Sequence, residues 1–421
     1  MVITDSNVNL SPCPYQTDAT YEITGGGVKE SDFITSFEKT QEIKTTSYSL
    51  KDYNFECPNT DLTVKNTSDN AMSESTLEIY NYPGRYIDID NGDRLVNIRV
   101  ESCDAEVTTV EGDSQCKAFN AGFLFELMGH PRDDMNMAYL LVEISHHPFY
   151  EPYPKISIDK DISGTYRNTF KCIPADIPFR PRLKTPRPFI QGCQTAIVVG
   201  QKNEEIETDE HGRIHVQFHW DRDGAYDEKS SCWIRVGQTW AGASWGAVVI
   251  PRVGQEVIVN FLEGNPDRPI VTGCVYHGEN RPPYKLADEK TKTTFRSDSY
   301  KGDGGFNEIR FEDLKDKEEL FIHAQKDMLT IVENDKMSEI GNSRINTIKN
   351  DRKQKILEGE DLLIIDKKGR TVEAQKGEYL LKAKTIKLQA TSSIELTCGG
   401  GKISINSSGS ITIKGTTVHI N

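Results

Sequence analysis

Three groups of residues in this sequence have the types and spacing of reactive sites. Gly242-Ala243-Ser244-Trp245-Gly246 has the GxSxG form in which a strand delivers a nucleophilic serine to the N-terminus of a helix, whose amides help hold an oxyanion. His211, His215 and His219 recur every four residues, the spacing that gathers imidazoles around zinc when the element is a helix. His419, two residues from the end, would meet two copies of itself in a threefold assembly.

The elements that must position these groups oppose all three. After Gly246 the chain reads AVVIPRVGQEVIVNF, rich in β-branched residues and interrupted by Pro251, so no helix is expected to follow Ser244. Ile214, Val216, Phe218 and Trp220 alternate with His215, Gln217 and His219, which is strand periodicity with an exposed histidine face. Histidines four apart on a strand lie about 13 Å apart, too far to share an ion. His419 stands between Val418 and Ile420, the inward positions of its alternation, and is expected to point outward. The neighbours His146 and His147 face opposite ways on a strand. The expectation is no catalytic residue, no metal site and no cofactor.

Bulk properties narrow the classes further. The 421 residues carry 64 acidic and 50 basic side chains, a formal charge of −14, which repels phosphate backbones and argues against nucleic-acid binding. Nine cysteines are scattered singly with no CxxC pair, the pattern of a reduced compartment. The start, MVITDSNVNLSPCP, lacks the basic and apolar regions of a signal peptide, and no later run has the apolar length of a membrane span. Export would need a dedicated machine.

Residues 1–185 read as β-rich, with one helix expected over Ser31–Glu42, where Phe33, Ile34 and Phe37 form an apolar stripe, and a strand over Asn136–Tyr150. The proline-dense stretch IPADIPFRPRLKTPRPF then marks a boundary. Over 190–280 five short runs, Gln194–Val199, Arg213–Trp220, Cys232–Val236, Ala247–Ile250 and Glu256–Leu262, suit a small closed barrel of the OB type. Such barrels often bind oligonucleotides or sugars, and an enzyme or ligand-binding module acting on cell-wall sugar or nucleic acid is the rival reading. Against it, Trp220 and Trp233 fall at apolar phase and are expected in the core, while Asp221, Asp223, Asp227 and Glu228 repel phosphate. A connector over 281–300, carrying Pro282 and Pro283, precedes the last part, 301–421.

That last part ends in a repeat. Ile386 and Leu388, Ile394 and Leu396, Ile403 and Ile405, Ile411 and Ile413, and Val418 and Ile420 form apolar pairs spaced about eight residues apart, separated by Thr, Ser, Lys, Asn and Gly. Two apolar residues per strand cannot make a core, and a flat ribbon of such strands exposes an apolar face and open edges. Winding three identical chains about one axis buries that face and pairs the edges, giving a triangular β-prism. Ile394, Leu396, Ile403, Ile405, Ile411, Ile413, Val418 and Ile420 are its expected core. A single-chain β-solenoid is the alternative.

The stretch from Thr195 to Tyr284, beginning TAIVVGQKNEEIETDEHGRIHVQFHWDRDG and ending NPDRPIVTGCVYHGENRPPY, resembles the VgrG family of type VI secretion spikes, as do YNYPGRY (Tyr80 to Tyr86) and GFNEIRFEDLKDKEELFIHAQKDM (Gly305 to Met328). The resemblance implies a mainly β fold of a β-barrel hub remnant, the OB barrel and an intertwined trimeric needle. It also implies a non-enzymatic homotrimer that joins Hcp-type tube and baseplate components, inserts stably in no membrane, and is assembled in the bacterial cytoplasm and exported by its own apparatus. A PAAR-type cap is expected on the strand edges of Thr416, Thr417, Val418, His419, Ile420 and Asn421, with toxin effectors bound non-covalently. Family members usually begin with a longer two-lobed hub, so the first lobe is expected to be missing here.

Overall fold

The computed structural model describes residues 7, 10–22, 32–70, 75–148, 166–302 and 304–418. It divides into two units, Met1–Asp327 and Met328–Asn421.

The first unit opens with β1 (Asp18–Tyr21), β2 (Phe33–Gln41), β3 (Ser47–Asp52), β4 (Leu62–Thr67), β5 (Glu78–Asn81), helix α1 (Ile89–Asp104), β6 (Thr108–Ser114), β7 (Leu124–Met128), β8 (Ala138–His147) and β9 (Arg167–Pro174). Six of these close a barrel in the order β1-β2-β6-β9-β8-β7, and a parallel β1–β7 pair seals it. Its interior is aromatic and aliphatic: Ile34, Phe37, Phe119, Phe125, Tyr139 and Phe170 are all buried. Beside it, a sheet in the order β4-β3-β5 is covered by α1, with Tyr48, Leu50, Val64, Tyr86, Val96 and Val100 between them.

The segment expected to be a helix is strand β2. Its helix-like spacing comes from a β-bulge: the register with β6 slips between Ile34 and Ser36, so one extra residue lets both Ile34 and Phe37 face the barrel interior. The true helix, α1, begins where the Asp88 side chain accepts the Asn91 amide.

The OB-type barrel follows, with β10 (Gln194–Val199), β11 (His215–Phe218), β12 (Arg235–Val236), β13 (Trp240–Ala241), β14 (Gly246–Ala247), β15 (Glu256–Phe261) and β16 (Pro269–Val275). Its sheet runs β11-β10-β15-β16-β12, and reciprocal 2.9 Å amide–carbonyl bonds between Ile214 and Ile234 join β12 back to β11. Four of the five expected runs supply barrel strands. The fifth does not: β14 pairs only with β13 in an outlying hairpin, Val248 and Val249 are exposed, and β16 takes its place in the barrel. β17 (Lys292–Arg296), β18 (Glu308–Glu312) and β19 (Glu319–His323) then form an antiparallel meander.

The end of β3 and the loop after it fasten the helix-covered sheet to the OB barrel. Asp52, fully buried, takes both terminal guanidinium nitrogens of Arg268, at 2.9 and 3.0 Å. A few residues on, Phe55 lies under Arg235 at 4.5 Å and Arg213 at 5.4 Å, and Glu56 pairs with Arg213 at 3.2 Å.

The second unit ends in β20 (Ser393–Cys398), β21 (Gly401–Asn406) and β22 (Ile411–Lys414), an antiparallel sheet.

Candidate assembly surface

Among the described residues, every buried hydrophobic cluster lies in the first unit. The second unit is nevertheless well supplied with large apolar side chains, and they stand in the open: Met337 is 94% exposed, Ile345 87% and Leu357 80%. They are also periodic. Bends recur at 333–334, 341–342 and 349–350, and Val332, Ile340, Ile348 and Ile356 follow one another at intervals of eight residues. The repeat read from the sequence in the last five pairs therefore begins well upstream of residue 385. Those earlier units were hidden because their two apolar positions do not alternate cleanly about one polar residue.

In the terminal sheet the cross-strand register aligns the repeats side by side. Ile394 pairs with Ile405 and Ile405 with Ile411; Leu396 pairs with Ile403 and Ile403 with Ile413. Alternation places both rows on one face. The opposite face is polar, where Lys402 Nζ meets Glu395 Oε1 at 2.8 Å. The apolar face is uncovered within one chain, with Leu396 58% and Ile411 64% exposed. Covering six such side chains is worth on the order of 10 kcal/mol per chain at about 1.5–3 kcal/mol for each full burial. The expected strand edge is not seen over 416–418, because β22 ends at Lys414; Val418 is half-exposed and Thr416 and Thr417 are exposed, whereas His419, Ile420 and Asn421 lie outside the described residues.

The reactive-looking groups occupy structural positions. Ser244 lies in the turn of the β13–β14 hairpin, with φ of 66° and the Gly242 amide donating to the Trp245 carbonyl at 2.8 Å. The turn joins strand to strand, so no helix amides face the hydroxyl. Gly246, at φ 137°, is required there, because a Cβ would come within 2.5 Å of the Trp240 carbonyl oxygen.

Two expectations for this barrel are corrected. His215 and Gln217 are buried rather than exposed, because the 221–231 loop folds back over the second face of β11. His215 Nδ1 lies 2.9 Å from the Ser231 carbonyl and its ring sits 3.8 Å from that of Trp233, while Gln217 Nε2 donates to Asp221 Oδ2 at 2.9 Å. Trp220 is 64% exposed rather than in the core, because β11 ends at Phe218 and the alternation stops there. Its indole donates to Gln194 Oε1 at 2.9 Å.

Comparison with known families divides the chain into three matched regions. Residues 1–149 match the phage tail baseplate hub profile, 194–276 the type VI secretion system/phage-baseplate injector OB domain, and 293–405 the bacteriophage T4 gp5 C-terminal trimerisation domain. The type VI secretion system spike protein VgrG1a of Pseudomonas aeruginosa is 38% identical over 430 residues, covering 100% of this chain and 65% of that protein. VgrG1b of the same organism is 42% identical over 310 residues, 73% of this chain and 42% of its own length. The actin cross-linking toxin VgrG1 of Vibrio cholerae is 37% identical over 340 residues, 80% of this chain but 30% of the toxin. The chain thus spans less than two thirds of the relatives it matches.

Proposed function

Because the chain belongs to the VgrG family of type VI secretion spike proteins, we propose that three copies assemble into the puncturing spike of a contractile injection apparatus. The observation that carries this reading is the second unit, whose periodic apolar residues find no core within one chain. Intertwining of three chains along the eight-residue repeat gives Ile394, Leu396, Ile403, Ile405, Ile411, Ile413, Val418 and Ile420 a common interior. The match of 293–405 to a trimerisation domain supports the same stoichiometry.

In this reading the hub region over 1–185 meets Hcp-type tube and baseplate components, the OB barrel over 190–280 forms a collar, and a connector over 281–300 leads to a needle over 301–421. The chain end beyond β22, Thr416 to Asn421, carries a PAAR-type cap, and effectors travel as separately bound cargo. The protein acts mechanically and not as an enzyme. Assembly takes place in the bacterial cytoplasm, with export to the extracellular space or target cell by the apparatus itself. Among the described residues no helix is long and apolar enough to cross a membrane.

Solution mass by light scattering tests the assembly directly. A particle of three chains at micromolar concentration is expected, and a monomer overturns the reading.

A further inference from the structure

One corner of the hub reverses the charge of the rest of the chain. A cavity of about 620 Å³ opens between α1, the loop after β5 and the proline-rich stretch after β9. Arg85, Arg94, Arg99, Lys184 and Arg187 line it, and no Asp or Glu does. None of these five cations makes a salt bridge with a described residue, in a protein whose net charge is −14. They reach the cavity from three separate segments, so neighbouring cations face one another across it. Burial first, then the Arg187 and Arg268 charges, hold the Arg85 guanidinium below its usual pKa, with Asp267 offsetting part of this. Like charges kept this close, with no acid in the cavity wall itself, are a standing cost that an anion bound there removes.

The corner is also built rather than incidental. Arg85 adopts a left-handed φ of 69°, and the buried Asp52 carboxylate accepts its amide hydrogen. The Gly84 amide donates to the Lys51 carbonyl at 2.7 Å, and Tyr86, its hydroxyl donating to the Leu50 carbonyl, anchors the loop from below. A non-glycine residue held at positive φ by a buried carboxylate is the kind of strain that marks binding sites.

Two features select the ligand. Leu95, Leu183 and Pro186 sit among the cations, so the wall is mixed apolar and basic, which suits a polypeptide better than a bare anion. The wall also continues through Asn81 into β5, which pairs with β3 on one side and, among the described residues, with nothing on the other. All four β5 residues are exposed. An open strand edge leading into an arginine cradle offers main-chain pairing and side-chain charge recognition to the same guest.

We propose that the outer edge of β5 and the arginine cradle together form a docking site for an extended acidic segment of a partner protein. The segment adds as a strand along β5, and its carboxylates seat on Arg85, Arg94, Arg99 and Arg187. The site belongs to the folded hub and does not depend on the assembly reading above.

The test uses the full chain and a fluorescent peptide of alternating Glu and Val, with a Lys–Val peptide and inorganic tripolyphosphate as comparisons. The Glu–Val peptide is expected to bind, to weaken about tenfold or more in the Arg94→Ala/Arg187→Ala variant, and to slow amide hydrogen exchange at 78–81. Both substituted side chains are exposed, so the variant is expected to keep its fold, checked by an unchanged unfolding midpoint. Peptide affinity that is the same in the variant, or binding without protection of 78–81, overturns the proposal. Tight binding of tripolyphosphate alone also overturns it and assigns the cradle to a small anion.

Discussion

Asp52 holds Arg268 by both terminal guanidinium nitrogens across a sequence separation of 216 residues, and no side-chain atom of Asp52 reaches solvent. A carboxylate desolvated this fully is stable as an anion only because its hydrogen bonds are satisfied, by Arg268 and by the Tyr53 and Arg85 amides.

Removing one partner is therefore expected to cost more than removing a surface ion pair. Asp52→Ala leaves Arg268 facing the vacated site and should destabilise the first unit by about 3 kcal/mol. Urea unfolding followed by tryptophan fluorescence reads this as a lower midpoint. A midpoint within error of the unsubstituted chain would show that the latch does not hold the two domains.

The same group sets an acid limit. Burial alone raises the Asp52 pKa, but the Arg268 hydrogen bond, the Tyr53 and Arg85 amides and the Arg268 charge outweigh it and hold the carboxyl below its usual value. Its contribution is then fully present above the unfolded-state pKa of about 3.9 and is lost as the pH falls through the lower folded-state value. Unfolding midpoints should drop below about pH 4 in the unsubstituted chain, and drop less steeply in Asp52→Ala.

Gly92 inverts the usual helix rule. Alanine favours a helix interior over glycine by about 1 kcal/mol. At Gly92 in α1, however, a Cβ would stand 2.8 Å from Tyr86 Cε2 and 3.0 Å from Val64 Cγ1. Gly92→Ala is expected to destabilise by about 1–3 kcal/mol, the range for overpacking. A more stable Gly92→Ala protein would mean that Tyr86 has room to move.

The needle reading predicts a separation of two defects. Ile405→Glu places a charge in the middle of the apolar row and should leave hub and barrel folded but monomeric, read by circular dichroism together with sedimentation. Deletion of 416–421 should leave the trimer intact while abolishing capture of a PAAR-type cap. Retained capture by the deleted chain would place the cap elsewhere.

Ser244 separates the mechanical reading from a hydrolytic one. Since its φ of 66° suits glycine, Ser244→Gly is expected to be neutral or up to about 1 kcal/mol stabilising, with no loss of esterase or amidase turnover. Turnover that disappears with the hydroxyl would restore the enzyme reading.

These residues also show which parts of the fold were legible in the sequence. Alternation identified β10, β11 and β15, each of which buries a face whose period survives in the chain, and the terminal repeats, whose apolar rows share one face. It failed at β2, where a bulge converts strand spacing into helix spacing, and at β16, whose Pro269 and Gly273 look like turn residues. Burial of His215 and Gln217 was invisible because it comes from a loop, not from the strand's own pattern. The latch and the cradle leave no local trace: Asp52 meets Arg268, and Arg85 meets Arg187, only after the sheet, helix and linker have folded together.

The eight-residue interval has a consequence for how such a chain can change. Over 332–356 each interval of eight brings back a bend and an apolar residue at the same place in the repeat, so a deletion or duplication of eight residues there keeps the repeat in phase. Within a strand of the terminal sheet, an indel of one residue would move the apolar pair beyond it to the opposite face. If the second unit is the proposed needle, its length grows in whole steps, adjustable by duplication and slippage of short coding segments.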